Sequence, residues 1–241
     1  MGNPFFRFKK FTVRQDGAAM KVGTDGVLIG AWARLTSSHE RYLDIGAGTG
    51  LIALMLAQRT EGTGAKIDAV EIDNGSYIQA LENIKASEWG GKISAFNLTI
   101  QEFAARTDNK YHHIVANPPY FVNSLLPHSE ARSAARHTSS LSYSDLLSCV
   151  SKLLTPEGVF SVIIPSAAET TFMETAAVYG LYASRKCLVF PLGNGPAKRV
   201  MLEFSHTTGS VSATSLVIET GPAGEYTPEY RELTRDFYLK F

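Results

Sequence analysis

The sequence has few of the residues that mark disulfide-rich or membrane-embedded proteins. Only two cysteines, Cys149 and Cys187, occur in 241 residues. They give neither a disulfide framework nor a metal-type spacing, and they favour a reducing compartment. The longest apolar stretch, around Val27–Ala33, is far too short for a membrane span, and Met1–Lys10 has no signal-peptide core. We therefore expect a cytoplasmic protein without membrane association.

An excess of charge of one sign is also absent. The chain has 23 basic residues (Lys and Arg) and 23 acidic residues (Asp and Glu), so its net charge does not indicate a polyanionic partner. The bases are unevenly placed: residues 1–34 hold six bases against two acids, and residues 185–199 hold four bases and no acid. Such patches could contact phosphates, but an ordinary solvated face has the same composition, and charge alone favours that second interpretation.

The composition is typical of a globular protein, and strand patterns alternate with helix patterns. Apolar residues make up 44% and charged residues 19% of the chain, which is enough for a substantial core. Phe6–Val13 alternates like one half-exposed strand, and Thr24 or Asp25 is expected to cap a short helix that ends at Trp32. From Arg41 onward the alternation predicts a doubly wound α/β fold with a mostly parallel sheet.

The last two predicted strands differ from the others in their connection. Ala183–Phe190 and Arg199–His206 are separated only by a stretch rich in proline and glycine, too short for a crossover helix. We therefore expect an antiparallel hairpin at one edge of the sheet.

The first strand of the core, Arg41–Ile45, runs into a glycine-rich turn with the pattern G-x-G-x-G. This pattern lacks the G-x-G-x-x-G spacing that sets a pyrophosphate against a helix in NAD-binding turns. S-adenosylmethionine has no pyrophosphate but carries cationic amino and sulfonium groups, which an acid at the strand end suits. We therefore expect Asp44 to face that cation, with the loop backbone close to the ligand. The loop residues predicted to bind it are Gly46, Ala47, Gly48 and Gly50.

The next two strands also end in residues that suit a nucleoside. Glu71 follows the second strand, where a carboxylate can accept the two ribose hydroxyls. Asp73 is predicted to cap the next helix. The segment Thr99–Phe103 follows the third strand and could flank an adenine ring, although a routine loop into a short helix explains it equally well.

The most specific string is Asn117-Pro118-Pro119-Tyr120, which directly follows the strand His113–Ala116. Two prolines cannot continue a strand, and they hold Asn117 extended. The Asn117 amide oxygen and a fixed main-chain carbonyl then provide two acceptors for the hydrogens of an –NH2 group conjugated into a ring. Tyr120 can stack on such a ring. We predict that these four residues form the catalytic motif.

Together these motifs resemble the class I amino-methyltransferases, whose fourth motif is (D/N/S)PP(Y/F). DIGAGTG, VEID and NPPY occur here in the family's order. The string FKKFTVRQDGAAMKVGTDGVLIGAWA, with ARH, KRVMLEF and RELTRDFYLKF, is similar to one group, the tRNA1(Val) adenine-N6 methyltransferases (YfiC-like). The resemblance covers essentially the whole chain. It implies a Rossmann-like methyltransferase fold, S-adenosylmethionine as cofactor and a tRNA substrate methylated at the adenine immediately 3′ of the anticodon.

The resemblance also implies positions for the cofactor site. In the family, the VGTDG loop lies over the cofactor, which adds residues from this loop to the site. Family members commonly carry an Asp where Thr99 stands here, so the adenine contact is expected from Ile100 or Gln101 instead. The full set expected to bind the cofactor is Lys21, Gly23, Thr24, Asp25, Asp44, Gly46, Ala47, Gly48, Gly50, Glu71, Ile72, Ile100, Gln101 and Asn117.

An RNA substrate would need basic contacts outside this site. The long segment Phe121–Leu141 is typical of a binding loop. The residues expected to contact RNA are Lys9, Lys10, Arg132, Arg136, His137, Lys198 and Arg199. No metal is expected, because the histidines lack partners at ligand spacing and methyl transfer needs no metal. No obligate protein partner is evident.

The same motifs leave other functions open. A release-factor type N5-glutamine methyltransferase uses similar acceptors, as do DNA adenine-N6 and rRNA guanine-N2 methyltransferases, and a non-catalytic binding module could share the scaffold. The glutamine enzymes usually carry an N-terminal helical substrate domain, whereas the residues before the core here begin with a strand pattern. We expect one domain with an N-terminal extension over 1–39, a catalytic core over 40–207, and a C-terminal strand and helix over 208–241.

Overall fold

The computed structural model describes residues 3–18, 20–35, 40–118, 141–221 and 225–241. In chain order the strands are β1 Phe5–Arg7, β2 Thr12–Arg14, β3 Arg41–Ile45, β4 Lys66–Glu71, β5 Ile93–Asn97, β6 Tyr111–Ala116, β7 Leu154–Pro165, β8 Tyr182–Leu192, β9 Arg199–Ser205 and β10 Ser212–Glu219. The α-helices are α1 Thr24–Trp32, α2 Leu51–Arg59, α3 Asn74–Ala86, α4 Ile100–Arg106, α5 Tyr143–Leu153, α6 Glu169–Val178 and α7 Pro228–Thr234.

Eight of these strands form one sheet in the order β10-β8-β9-β7-β6-β3-β4-β5. β9 alone in this sheet runs antiparallel to both of its neighbours, β7 and β8, while the other pairs are parallel. The seven parallel strands therefore end at one edge, which we call the carboxyl edge. Because β9 runs the opposite way, its first residue, Arg199, lies at that same edge.

Helices cover both faces of the sheet, and the predicted doubly wound fold is confirmed. Alternate residues of the buried strands point to opposite faces, so that Val115 packs on one core and Ile114 and Ala116 on the other. The first core is completed by α1, α2, α3 and α7, and the second by α4, α5 and α6. Both faces of the parallel strands are thus buried, as such a sheet requires.

The N-terminal region differs from its prediction in two ways. The single strand expected over Phe6–Val13 is wrong, because the chain reverses between Phe8 and Phe11 to form the antiparallel hairpin β1–β2. The Phe8 amide donates to the Phe11 carbonyl at 2.8 Å, and the two buried rings stack with centroids 4.7 Å apart. The cap expected from Thr24 or Asp25 is also wrong, because the N-cap of α1 is Gly23.

The C-terminal hairpin has the expected pairing but a different position. β8 and β9 are antiparallel neighbours, as predicted. They do not form the edge of the sheet, because β9 inserts between β7 and β8 and the parallel strand β10 pairs with the outer side of β8. The edge position therefore belongs to β10.

Helices α1 and α2 approach closely because α1 presents two glycines, one turn apart, to its neighbour. A Cβ added at Gly30 would lie 2.7 Å from Met55 Sδ, and one added at Gly26 would lie 3.0 Å from Leu51 Cδ2. The helix pair is thus packed without room for a further carbon at either position. This close approach brings the first turn of α1 to the carboxyl edge beside α2.

We predict that Gly30→Val destabilises the protein by about 1–3 kcal/mol, because the added carbons overpack the contact with Met55. Denaturant unfolding of the purified variant measures the change. Gly209→Ala is the matched control, since a Cβ at Gly209 meets nothing within 4 Å. Equal stability of the Gly30→Val variant and the wild-type protein would contradict the close packing described above.

Candidate active site

The carboxyl edge of the sheet brings together most of the described residues that the sequence singles out. β3 ends at the glycine loop, β4 ends at Glu71 and β6 is followed by Asn117. Since ligands of doubly wound sheets bind at this edge, the expected cofactor and acceptor residues share one location. Which of them touch a ligand stays a prediction.

The glycine loop has a conformation that only glycine adopts readily. Gly46, Gly48 and Gly50 have φ values of 72°, 54° and 82°. A Cβ at Gly46 or Gly48 would meet nothing within 4 Å, so open space lies over the loop, whereas a Cβ at Gly50 would lie 3.4 Å from Ala80 Cβ. An exposed backbone without side chains is what close approach of a nucleoside cofactor requires. The loop therefore fits S-adenosylmethionine.

Glu71 holds the loop in place. Its Oε2 accepts a hydrogen bond from the Gly48 amide and its Oε1 one from the Asp73 amide, each at 2.7 Å. Each carboxylate oxygen has a further lone pair, so these bonds leave Glu71 able to accept ribose hydroxyls as well. Ile72, which follows it, is 51% exposed and offers an apolar surface at the same edge.

Asn97 belongs to this corner and was not predicted from the sequence. Its amide group donates to the carbonyl oxygens of Glu71 at 2.9 Å and Ile72 at 3.1 Å. The two bonds fix the backbone beneath the predicted ribose contact. The available signal was its position as a polar residue at the end of β5, the same kind of signal that identified Glu71.

Asp44 is fully buried beneath the loop. Its Oδ2 accepts a hydrogen bond from the Ala53 amide in the first turn of α2 at 3.0 Å, while its Oδ1 has no partner among the described residues. Burial raises the pKa of Asp44 to about 7, the Ala53 amide opposes this rise, and the nearby Glu71 charge adds to it. A bound cation would favour the ionised form of such a carboxyl group.

The segment expected near the adenine ring is the start of α4. Thr99 and Glu102 form a capping box: Thr99 Oγ1 accepts from the Glu102 amide at 3.1 Å, and Glu102 Oε2 accepts from the Thr99 amide at 3.0 Å. Ile100 is buried and Gln101 is exposed. Thr99 thus serves the helix, which agrees with assigning the adenine contact to the following residues, although that assignment stays a prediction.

Asn117 lies where β6 leaves the sheet, beside the first turn of α1. It is partly buried, Pro118 is buried, and a Cβ built on Gly26 would lie 3.8 Å from Asn117 Nδ2. The rest of the predicted motif, Pro119 and Tyr120, lies outside the described residues.

The VGTDG loop, preceded by Lys21, leads into the first turn of α1. Lys21, Gly23 and Thr24 are exposed, and Asp25 is partly buried. Asp25 Oδ2 lies 2.9 Å from the Nε of Arg199, the first residue of β9. The structure therefore pairs a residue predicted to bind cofactor with one predicted to bind RNA.

The remaining residues predicted to contact RNA are divided between two locations. Lys198 is exposed at the carboxyl edge. Lys9 Nζ donates to the carbonyls of Arg235 and Phe241, each at 2.5 Å, and Lys10 Nζ lies 2.6 Å from Glu61 Oε2. Glu61 follows α2, which runs away from the carboxyl edge, so Lys10 lies toward the opposite edge. The other predicted RNA contacts, Arg132, Arg136 and His137, lie outside the described residues.

The described residues were compared with the requirements of a metal site and of a membrane-spanning helix. They contain no group of three or more His, Cys, Asp or Glu side chains placed to hold a metal ion. None of the helices among them is both long and apolar enough to cross a membrane.

Comparison with known proteins yields close relatives over the full length. Residues 27–139 match the family model described as the methyltransferase small domain. The chain is similar to the tRNA1(Val) (adenine(37)-N6)-methyltransferases of Trichodesmium erythraeum (strain IMS101), at 47% identity, and Bacteroides fragilis (strain YCH46), at 46% identity. Both alignments span 241 residues and cover 100% of each chain.

A solved structure gives the fold independently. The crystal structure of a predicted O-methyltransferase, protein Atu636 from Agrobacterium tumefaciens, matches with a TM-score of 0.67 at 16% identity. The match covers 88% of this chain and 96% of that chain. The expected Rossmann-like methyltransferase fold is confirmed.

The raised pKa of Asp44 leads to a prediction about pH and stability. Between its usual value of 3.8 and the folded value of about 7, the folded state keeps a proton that the unfolded state releases. The free energy of unfolding should therefore fall as the pH rises through this range. Asp44→Asn keeps an acceptor for Ala53 but cannot ionise, so relative to wild type it should gain up to about 4 kcal/mol between pH ~4 and ~7.

Denaturant unfolding at several pH values measures this gain. Asp73→Asn is the control, because the bond from the Ser76 amide lowers the pKa of Asp73. The contribution of Asp73 to stability therefore disappears as the pH falls, opposite in sign to that of Asp44. A pH-independent difference between Asp44→Asn and wild type would show that Asp44 ionises normally.

Proposed function

This chain belongs to the family of tRNA1(Val) (adenine(37)-N6)-methyltransferases, and from that membership we propose that it methylates N6 of an adenine in tRNA, adenine 37 of tRNA1(Val). The methyl donor is S-adenosylmethionine. The observation that carries the proposal is the placement of Asn117 at the same edge as the open glycine loop. A tRNA substrate also places the enzyme in the cytoplasm.

The residues described above would each bind a different part of the methyl donor. The glycine loop and Glu71 would hold the donor's ribose and amino-acid parts, with Ile72, Ile100 and Gln101 at the adenine ring. Bound S-adenosylmethionine would supply an activated methyl group on its sulfonium, with the sulfur as leaving group, and the methylated nitrogen would lose one proton to solvent.

Asn117 provides the catalytic contribution of the chain. Its amide oxygen accepts one hydrogen of the target amino group, and a main-chain carbonyl of the Asn117-Pro118 segment accepts the other. Two acceptors favour a tetrahedral nitrogen, whose lone pair is then localised and directed at the methyl carbon. Because positive charge grows on this nitrogen during transfer, the hydrogen bonds strengthen toward the transition state.

The family membership supports an RNA substrate over a glutamine side chain, because the full-length relatives are named for an adenine of tRNA1(Val). Mass spectrometry of nucleosides from tRNA1(Val), incubated with the protein and labelled donor, tests the activity directly, and labelled N6-methyladenosine at position 37 is the expected product.

We predict that Asn117→Ala lowers kcat by about 10²–10³-fold, because the variant cannot make a hydrogen bond that stabilises charge in the transition state. Affinity for S-adenosylhomocysteine should fall much less than kcat, since the two acceptors of Asn117 are expected to serve the target amino group and any contact to the cofactor is a minor one. Single-turnover rates and calorimetry on the same purified protein measure both quantities. Asn109→Ala, before the opposite end of β6, is the control and should retain activity. A fully active Asn117→Ala variant with reduced thermal stability would identify Asn117 as a turn residue.

We also predict that tRNA affinity falls as salt rises, and that Lys198→Ala makes this dependence shallower, by about one unit of slope for each phosphate that Lys198 neutralises. Lys198 is exposed at the carboxyl edge, whereas Lys10 is paired with Glu61 toward the opposite edge. Lys10→Ala is therefore the comparison variant and should leave the slope unchanged. Binding titrations at several salt concentrations measure the slopes, and equal slopes for Lys198→Ala and wild type would exclude Lys198 from the RNA interface.

A further inference from the structure

We propose that Arg199 is a positioning residue of the active site, which holds the first turn of α1 against Asn117 and the glycine loop through its ion pair with Asp25. This role replaces the one that the sequence suggested for Arg199, a contact to an RNA phosphate. The inference rests on the proposed function for its link to methyl transfer, but its effect on the cofactor site is measurable without RNA.

The ion pair has the geometry of a structural contact. Arg199 Nε donates to Asp25 Oδ2 at 2.9 Å, and the two side chains are only 30% and 24% exposed. Arg199 also donates from a second guanidinium nitrogen to the carbonyl of Lys198 at 3.0 Å, which restricts its orientation. A pair that is partly removed from water and oriented in this way contributes more than a freely exposed one.

The Arg199 end of this ion pair is rigid because Arg199 belongs to an inner strand of the sheet. Arg199 begins β9, the strand inserted antiparallel into the sheet, and it stands in register with Pro165 of β7 and Val189 of β8. The next residue, Val200, is fully buried. Arg199 is thus fixed on both sides and reaches the carboxyl edge from within the sheet.

The first turn of α1, in contrast, has little local support. Its N-cap is Gly23, which has no side chain to cap the free amides, and the first helical bond, from the Val27 amide to the Gly23 carbonyl, is long at 3.5 Å. Asp25 lies in this turn, where a carboxylate is favoured by the helix dipole. Its pair with Arg199 therefore ties a weakly capped turn to the sheet.

That turn lies beside both parts of the site. Gly26, next to Asp25, lies so close that an added Cβ would be 3.8 Å from Asn117 Nδ2 and 3.0 Å from Leu51 Cδ2. Leu51 is the first residue of α2, directly after the glycine loop. A displacement of the turn would therefore disturb the acceptor side and the cofactor side together.

Two of the three other bases in residues 185–199 are also paired with carboxylates of this chain. Arg185 lies 2.7 Å from Glu203, and Lys186 lies 2.7 Å from Glu169. Three of the four bases in residues 185–199 thus have intramolecular carboxylate partners, so this basic stretch is not a phosphate-binding patch as a whole. A phosphate would compete with Asp25 for the charge of Arg199.

A double-mutant cycle separates positioning from phosphate binding. We expect Arg199→Gln and Asp25→Asn each to raise the Kd for S-adenosylhomocysteine by about 3- to 10-fold, as for the removal of a partly buried ion pair. The double variant should be no worse than either single one, because both remove the same contact. Arg199→Lys should restore part of the affinity, and the KM for tRNA should stay within about twofold of wild type while kcat falls.

The phosphate-binding alternative gives the opposite pattern. Arg199→Gln would raise the KM for tRNA and flatten its salt dependence, whereas Asp25→Asn would free Arg199 and strengthen tRNA binding. Either result overturns the proposal. If wild type binds S-adenosylhomocysteine but methylates no tRNA, the proposed function fails, and the calorimetric cycle still decides the role of Arg199.

The pair of Lys186 with Glu169 is the matched control. It has a similar length, it also joins a strand to the first turn of a helix, and its side chains are 30% and 19% exposed. It lies on the other face of the sheet, where α6 packs. Lys186→Gln and Glu169→Gln should lower thermal stability without changing S-adenosylhomocysteine affinity. An equal drop in affinity in these variants would mean that general destabilisation explains the result, and the proposal would be wrong.

Discussion

The carboxylate of Glu71 connects the end of β4 with the glycine loop and with the start of α3, and these three elements form the expected cofactor side of the site. One oxygen holds the Gly48 amide of the glycine loop, and the other holds the amide of Asp73, which caps α3. The Val70 carbonyl adds bonds from the Gly46 and Ala47 amides. The loop therefore takes its shape from β4 as well as from its own sequence, and the same carboxylate is the group predicted to accept the ribose hydroxyls. One side chain would then combine a structural role and a binding role.

The features that the sequence predicted correctly depend on neighbours in the chain. Alternating strands and helices, the glycine loop at the end of β3 and the Asp73 cap all follow from local periodicity and local hydrogen bonds. Two of the features that it missed are local, the β1–β2 reversal and the Gly23 cap of α1, but others join distant residues. Asp25 meets Arg199 across 174 positions, and Lys9 meets the carbonyl of Phe241 across 232. Such contacts leave no periodic signal, because either partner alone looks like an ordinary charged residue.

The distribution of charge explains why composition was a poor guide to the partner. Of the ten bases in residues 1–34 and 185–199, five are bound within the molecule by carboxylates or by carbonyl oxygens. A protein with no net charge can still present a local basic surface, but only bases without internal partners contribute to it. Charge runs therefore predict an interface only after the fold has shown which of the charges are already paired.

The insertion of β9 also sets an order in which the sheet can be completed. β8 leaves the ribosome before β9, yet within the described sheet β8 reaches β7 only through β9, and β10 is attached only to β8. Strand β8 therefore cannot pair with the strands synthesised before it until β9 is also available. The strands β8, β9 and β10 then join the sheet together. Until then the outer edge of β7 stays unpaired, and an unpaired strand edge is prone to aggregation. The topology that brings Arg199 to the carboxyl edge thus also leaves an open strand edge on the growing chain until β9 has been synthesised.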